Sequence, residues 1–229
     1  MLFDIDGTLL SGATDAHVAA MHVALREIHG VTVARKRARP SRAGRTDGEI
    51  ARAILLGAGV SAQRIDERAA EVRERCCRSY ARLCPPDLSH AVLPAVRELL
   101  EWLSARDDAR LGLVTGNYEP IARLKLARAG IGKYFPPDQG AFGSDCEDRA
   151  ALPAIARRRA GAGGVPHPRQ RTVVIGDTPL DVACARADGL RCVAVATGPF
   201  EVDELSRADA VADDAGALRT VLEAELGRP

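Results

Sequence analysis

The sequence predicts an α/β fold with a doubly wound, mainly parallel sheet and an inserted α-helical segment. Three observations predict it. Short apolar runs ending in glycine or an acid recur at 1–5, 111–116, 172–177, 191–198 and 208–212. Runs of that kind suit strands buried on both faces of a parallel sheet. From residue 91 onward they alternate with helical patterns, which is the signature of a Rossmann-like core. Residues 11–90, by contrast, show helical patterns with no convincing strand between them.

In chain order, the first strand is the run Met1 to Ile5, interrupted by Asp4. Helices are predicted over 15–29, 48–56 and 65–83, and Pro85-Pro86 closes this block. The stretch 92–104 carries apolar residues at helical spacing after Pro94. The run 111–116 is the second strand. A helix over 119–129 stops at Gly130, a natural helix end. A helix over 152–160 precedes the Gly/Pro-rich loop 161–168. The strand 172–177 leads into a helix over 180–187, which ends before Gly189. Strand 191–198, a weaker strand 208–212 and a helix over 215–226 complete the chain. The reading therefore divides into a core of residues 1–11 and 88–229 and an inserted helical unit, 12–87.

Composition excludes several classes of function. Lys+Arg number 32 and Asp+Glu 31, a formal charge of +1. That balance argues against nucleic acid or an acidic membrane surface as the main partner. Aromatics are 3% of the 229 residues, too few for a base-stacking platform. No apolar run approaches the roughly 18 residues of a membrane span. The start, with acid at the fourth residue and no basic leader, points to a cytoplasmic protein. The six cysteines, Cys76, Cys77, Cys84, Cys146, Cys184 and Cys192, form no C-x-x-C pair and read as reduced structural thiols.

The chemistry sits at the strand ends. Asp4 and Asp6 alternate along the first strand, so their side chains point the same way. At the carboxyl end of a central strand they project into the crevice where open α/β folds bind ligands. Like charges that close need a cation or a shared proton. Gly7 permits a sharp turn after them. The second strand ends in Thr115-Gly116-Asn117, a hydroxyl and a permissive backbone at a helix start, which suits a phosphate cradle. The strand 172–177 ends in Gly176-Asp177-Thr178-Pro179-Leu180-Asp181. Asp177 and Asp181 there, facing Asp4 and Asp6, make an oxygen-rich site for a hard cation such as Mg²⁺. Each motif has a plainer reading as a turn or a helix cap. Their joint occurrence, each at a strand end, is what those plainer readings explain poorly.

Together, Asp4-Ile-Asp6-Gly7-Thr8-Leu9-Leu10, Thr115-Gly116-Asn117 and Gly176-Asp177-Thr178-Pro179-Leu180-Asp181 resemble motifs I, II and IV of the haloacid dehalogenase (HAD) superfamily. The resemblance covers nearly the whole chain. The helical insert matches the C1-type cap of the phosphoglycolate phosphatase and β-phosphoglucomutase branch. The resemblance implies a Mg²⁺-dependent phosphatase acting on a small phosphorylated metabolite. Asp4 would be the nucleophile, forming an aspartyl-phosphate, and Asp6 the general acid and base. Mg²⁺ would be held by the Asp4 side chain, the Asp6 carbonyl and Asp177, with Asp181 in support. Thr115, Gly116 and Asn117 would hold phosphoryl oxygens. A phosphomutase, or a phosphate-binding protein that has lost turnover, shares these motifs. A monomer and a homodimer are both compatible with them.

Two features depart from the family pattern. Its third motif supplies a lysine, whereas the corresponding stretch here offers Arg149; Lys125, in the helix after Thr115-Gly116-Asn117, is the alternative cation for phosphate. Only Met1, Leu2 and Phe3 precede Asp4, a short first strand. In the insert, the basic run 35–45 reads as a solvated loop, with Arg45 the candidate contact to an anionic substrate. His17, His22 and His29 read as ordinary helix residues. Hinges for cap movement are expected near Gly12 and Pro85-Pro86-Asp87.

Overall fold

The computed structural model describes residues 1–33 and 43–226. Arg35, Lys36, Arg37, Arg39 and Arg42 of the basic run lie outside them. Six strands form one parallel sheet: β1 (Leu2–Phe3), β2 (Gly112–Thr115), β3 (Ala141–Phe142), β4 (Val173–Gly176), β5 (Arg191–Val195) and β6 (Ala210–Ala212). Their order is β3-β2-β1-β4-β5-β6. The chain direction of winding reverses between β1 and β4, so the crevice beyond their carboxyl ends is where ligands bind in such sheets.

Period-two alternation distributes the strand residues between two apolar clusters. Phe3, Leu113, Ile175 and Val193 join one, with the helices α4 (Val96–Ser104), α5 (Glu119–Arg128) and α8 (Ala215–Leu226). Leu2, Val114, Val174 and Cys192 join the other, against α6 (Leu152–Ala160) and α7 (Pro179–Ala187). Leu2 and Phe3 pair with Gly112 and Leu113 on one side and with Val174 and Ile175 on the other. β1 is thus central although it is two residues long. Full burial of Phe3 contributes on the order of 2 kcal/mol.

Two predictions need correction. The sheet has a strand the sequence reading missed, β3, because Ala141–Phe142 is too short to show periodicity. The first strand is shorter than the predicted 1–5. The Asp4 N–H still donates to the Ile175 carbonyl at 2.9 Å, but the Ile5 carbonyl then accepts from Leu9 and Leu10 N–H groups, both at 2.9 Å. That local turn ends the ladder just where the two acids emerge.

Between β1 and α4 the chain forms α1 (Asp15–His29), α2 (Asp47–Gly57) and α3 (Ala62–Leu83). α1 buries Ala20, Met21, Ala24 and Leu25, and α3 buries Ile65, Val72, Cys76 and Tyr80; the two helices pack together. Gly30 ends α1 in the left-handed conformation (φ 72°), its N–H bonded to the Arg26 carbonyl. Thr46 caps α2 by accepting the Glu49 N–H at 3.1 Å. All six cysteines are free, and Cys76, Cys84, Cys184 and Cys192 are buried as small apolar side chains. No helix among the described residues is long and apolar enough to cross a membrane.

Candidate active site

Asp4, Asp6, Thr115, Gly116, Asn117, Arg149 and Asp177 line one cavity of about 490 Å³ above the carboxyl ends of β1, β2 and β4. The side chains of Asp4, Asp177 and Asp181 form a buried cluster whose carboxylate oxygens lie within 4.8 Å of one another. Asp177 accepts from the Thr8 hydroxyl at 2.8 Å. Gly7, at φ +92°, lies against the same carboxylate: a Cβ there would stand 2.2 Å from Asp177 Oδ2. Only glycine allows both that backbone angle and that approach.

Asp181 is spoken for on both oxygens. Oδ2 accepts from the Thr178 N–H (3.0 Å) and hydroxyl (2.7 Å), and Oδ1 accepts from Arg149 Nη2. The plainer capping reading of Thr178 and Asp181 is therefore true as well, a reciprocal box at the start of α7. The same Arg149 Nη2 lies 3.3 Å from Asp4 Oδ1. The Arg149 side chain is 7% exposed, and its buried Nε has no hydrogen-bond partner.

Lys125 sits on the other side. From the middle of α5, fully buried, its Nζ donates to Asp6 Oδ1 (2.8 Å), Asp6 Oδ2 (2.6 Å) and Asn117 Oδ1 (2.9 Å). Asn117 Nδ2 in turn donates to Asp6 Oδ2 and to Thr115 Oγ1, both at 2.9 Å. The two cations that the sequence left as alternatives are thus both present, with different partners: Arg149 on Asp4 and Asp181, Lys125 on Asp6.

This arrangement sets the protonation of the acids. Burial pushes the Asp4 carboxyl up to about 7, against the opposing charge of Arg149. Burial, with the neighbouring charges of Asp4 and Asp181, pushes Asp177 up to about 8. Burial acts on Asp6 in the same sense, but the Lys125 ammonium, by charge and hydrogen bond, holds it below its ordinary value. Three buried carboxylates face a single guanidinium among the described residues. An all-oxygen donor set with unbalanced negative charge fits a hard divalent cation such as Mg²⁺.

The insert closes over the site through residues 44–47. The Asp47 N–H donates to the Gly116 carbonyl at 2.8 Å, and Asp47 Oδ2 accepts from the Tyr118 N–H at 2.7 Å. A Cβ on Gly116 would stand 2.2 Å from the Arg45 carbonyl, so this approach requires glycine. Arg45, the candidate contact to an anionic substrate, lines the cavity and is engaged by Glu49 at 2.5 Å. His17 corrects the sequence reading. It faces the cavity, with Nε2 3.0 Å from Asp47 Oδ2 and its ring edge-on to Tyr80. Thr8, His17 and Asp47 are site neighbours to which the sequence reading assigned no role. Asp47 carried a faint signal, an acid in the first turn of a helix two residues after Arg45.

The haloacid dehalogenase-like hydrolase family profile matches residues 1–186. A phosphoglycolate phosphatase of Rhodospirillum rubrum is 32% identical over 203 residues, spanning 86% of this chain and 79% of its own. One from Pseudomonas fluorescens is 28% identical over 210 residues, spanning 86% of this chain and 69% of its own. The crystal structure of β-phosphoglucomutase from Clostridium difficile superposes with a TM-score of 0.70 at 18% identity, covering 98% of this chain and 95% of that one, a likeness of fold.

Proposed function

The chain belongs to the haloacid dehalogenase-like hydrolase family, and on that premise we propose that it is a Mg²⁺-dependent phosphatase of small phosphate monoesters. The observation that carries the reading is one cavity lined by Asp4, Asp6, Asp177 and Arg149, with Lys125 and Asp181 bonded to them from buried positions behind.

Asp4 is the nucleophile. One carboxylate oxygen bonds to phosphorus as the ester oxygen departs, giving an aspartyl-phosphate. Asp6 donates a proton to the leaving oxygen, then accepts one from the water that attacks phosphorus. Inorganic phosphate leaves and the Asp4 carboxylate is restored. Lys125 favours the ionised form of Asp6, as the second step needs. A phosphate dianion beside Asp6 favours the protonated form, as the first needs. The Asp4 side chain, the Asp6 carbonyl and Asp177 would hold Mg²⁺, which would supply positive charge for the transferring group. Asp181, already bonded to Thr178 and Arg149, positions Arg149. Arg149 lines the cavity beside Asp4 and brings positive charge to the phosphoryl oxygens. Thr115, Gly116 and Asn117 hold the remaining oxygens. Residues 12–87 act as a cap over the core of 1–11 and 88–229, excluding water when closed.

The test is phosphate release from a panel of small monoesters, with Mg²⁺ and with chelator, for the wild type and Asp4→Asn. Mg²⁺-dependent release abolished by Asp4→Asn is expected. No release from any ester by the folded, Mg²⁺-bound protein would overturn the reading.

A further inference from the structure

The cavity has a second wall, built by the insert and the segment after β1. α1 lines it with His17, Val18 and Met21, which share one helix face, and Ile50 of α2 and Leu10 complete it. At about 490 Å³ the space falls within the ~300–1,000 Å³ of pockets that enclose drug-sized ligands. A phosphorylated two-carbon acid would leave most of it empty. The charged groups at this end are already engaged, and the hydroxyls of Ser11 and Thr14 line it from exposed positions. His17 Nε2 meets Asp47, Asp47 accepts from Tyr118, and Arg45, the cation of the insert that lines the cavity among the described residues, is paired with Glu49. Sugar hydroxyls or a second anionic group placed against Val18 and Ile50 would give up water without gaining equivalent partners. Val18 and Ile50, both half-buried and backed by Met21 and Leu10, instead offer aliphatic surface to a hydrocarbon.

We propose that the site prefers phosphate monoesters whose leaving alcohol or phenol has a hydrocarbon body, seated on Val18, Met21 and Ile50, over sugar phosphates and phosphoglycolate. The inference rests on the phosphatase reading above and names its substrate class. Asp4 and Asp6 act on such an ester as on any other; the wall determines which esters are held long enough to react.

The experiment compares kcat/KM for phosphate release from phenyl phosphate, isobutyl phosphate, glucose 6-phosphate and phosphoglycolate at saturating Mg²⁺. The hydrocarbon esters are expected to exceed the other two by about tenfold or more. Val18→Asn and Ile50→Asn, both at half-buried positions, are expected to lower the ratio of phenyl phosphate to glucose 6-phosphate by roughly tenfold, while Met21→Leu retains it. The reverse order of substrates, or an unmoved ratio in folded variants, overturns the inference. Release from none of the four overturns the phosphatase reading for these esters, and binding then tests the wall separately. Phenylphosphonate should raise the melting temperature of the wild type more than inorganic phosphate does, and equal shifts would overturn the inference.

Discussion

Lys125 donates to both carboxylate oxygens of Asp6, at 2.8 and 2.6 Å, from a position with no solvent exposure. Asp6 itself keeps a quarter of its side chain open toward the cavity. The pair therefore joins a fixed internal cation to an acid that remains available for chemistry. Lys125→Met should lower kcat by roughly 10²-fold and move the acidic limb of the rate profile to higher pH. It should also cost about 1.5–3 kcal/mol of stability. Because Lys125 holds Asp6 low, that stabilisation is present above the unfolded carboxylate value of 3.8 and is lost as pH falls through the folded one. The variant should lack that acid-side loss. Urea denaturation across pH, with a pH–rate profile, checks both; an unmoved limb would rule out control of Asp6 by Lys125.

Arg149 opposes the charge that a divalent cation also opposes. Arg149→Met should therefore tighten Mg²⁺ binding while weakening inorganic phosphate by at least roughly tenfold. Arg149→Lys should fall between, because it keeps the charge on a shorter side chain without the guanidinium's delocalised, multi-donor plane. Calorimetric titration with each ion reads the two signs independently. Weaker Mg²⁺ binding in Arg149→Met would contradict this assignment.

Asp47 joins the insert to the loop after β2 through the Tyr118 N–H. Asp47→Ala leaves that donor and His17 without their acceptor. Hydrogen exchange should quicken at 44–47 and 116–118, and kcat/KM should drop by about tenfold or more, mainly through KM. Asp47→Asn retains an acceptor oxygen and should lose less. Exchange rates identical to wild type would show that this contact does not hold the insert closed.

The acids around Asp4 make metal-free stability depend on pH. Asp4 and Asp177 have ordinary values of 3.8 and folded values of about 7 and about 8. Between those limits the folded state binds more protons than the unfolded one, so this contribution falls as pH rises from about 4 to about 8. Melting temperatures in chelator should follow that slope. Added Mg²⁺ should stabilise most at the alkaline end, where the carboxylates are ionised. A Mg²⁺ shift that is largest at pH 5 would contradict the carboxylate cluster as its site.

Much of this was legible along the chain because it depends on local order. Apolar runs ending in acid or glycine mark the strands, and Asp4, Asp6, Thr115, Asp177 and Asp181 each lie at or just beyond a strand end or on the helix that follows. A parallel sheet carries those ends to one edge whatever the intervening residues are. β3 was not legible, since two residues carry no period. His17 and Asp47 were not, because an acid in a first turn and a histidine on a helix are ordinary residues until packing brings them together.

The sequence by itself determined the fold class, the identity of the acids and their gathering at one crevice. Only the tertiary structure decided which cation serves which acid. Lys125 and Arg149 are far apart in sequence, and both are cationic; their difference lies in where α5 and the turn at Arg149–Ala151 pack against the sheet. Packing likewise set the Asp4 and Asp177 protonation, since desolvation depends on what surrounds a carboxylate and not on its neighbours in sequence. It also brought Val18, Met21 and Ile50 from two helices to one wall of the cavity, a juxtaposition that no single stretch of chain contains.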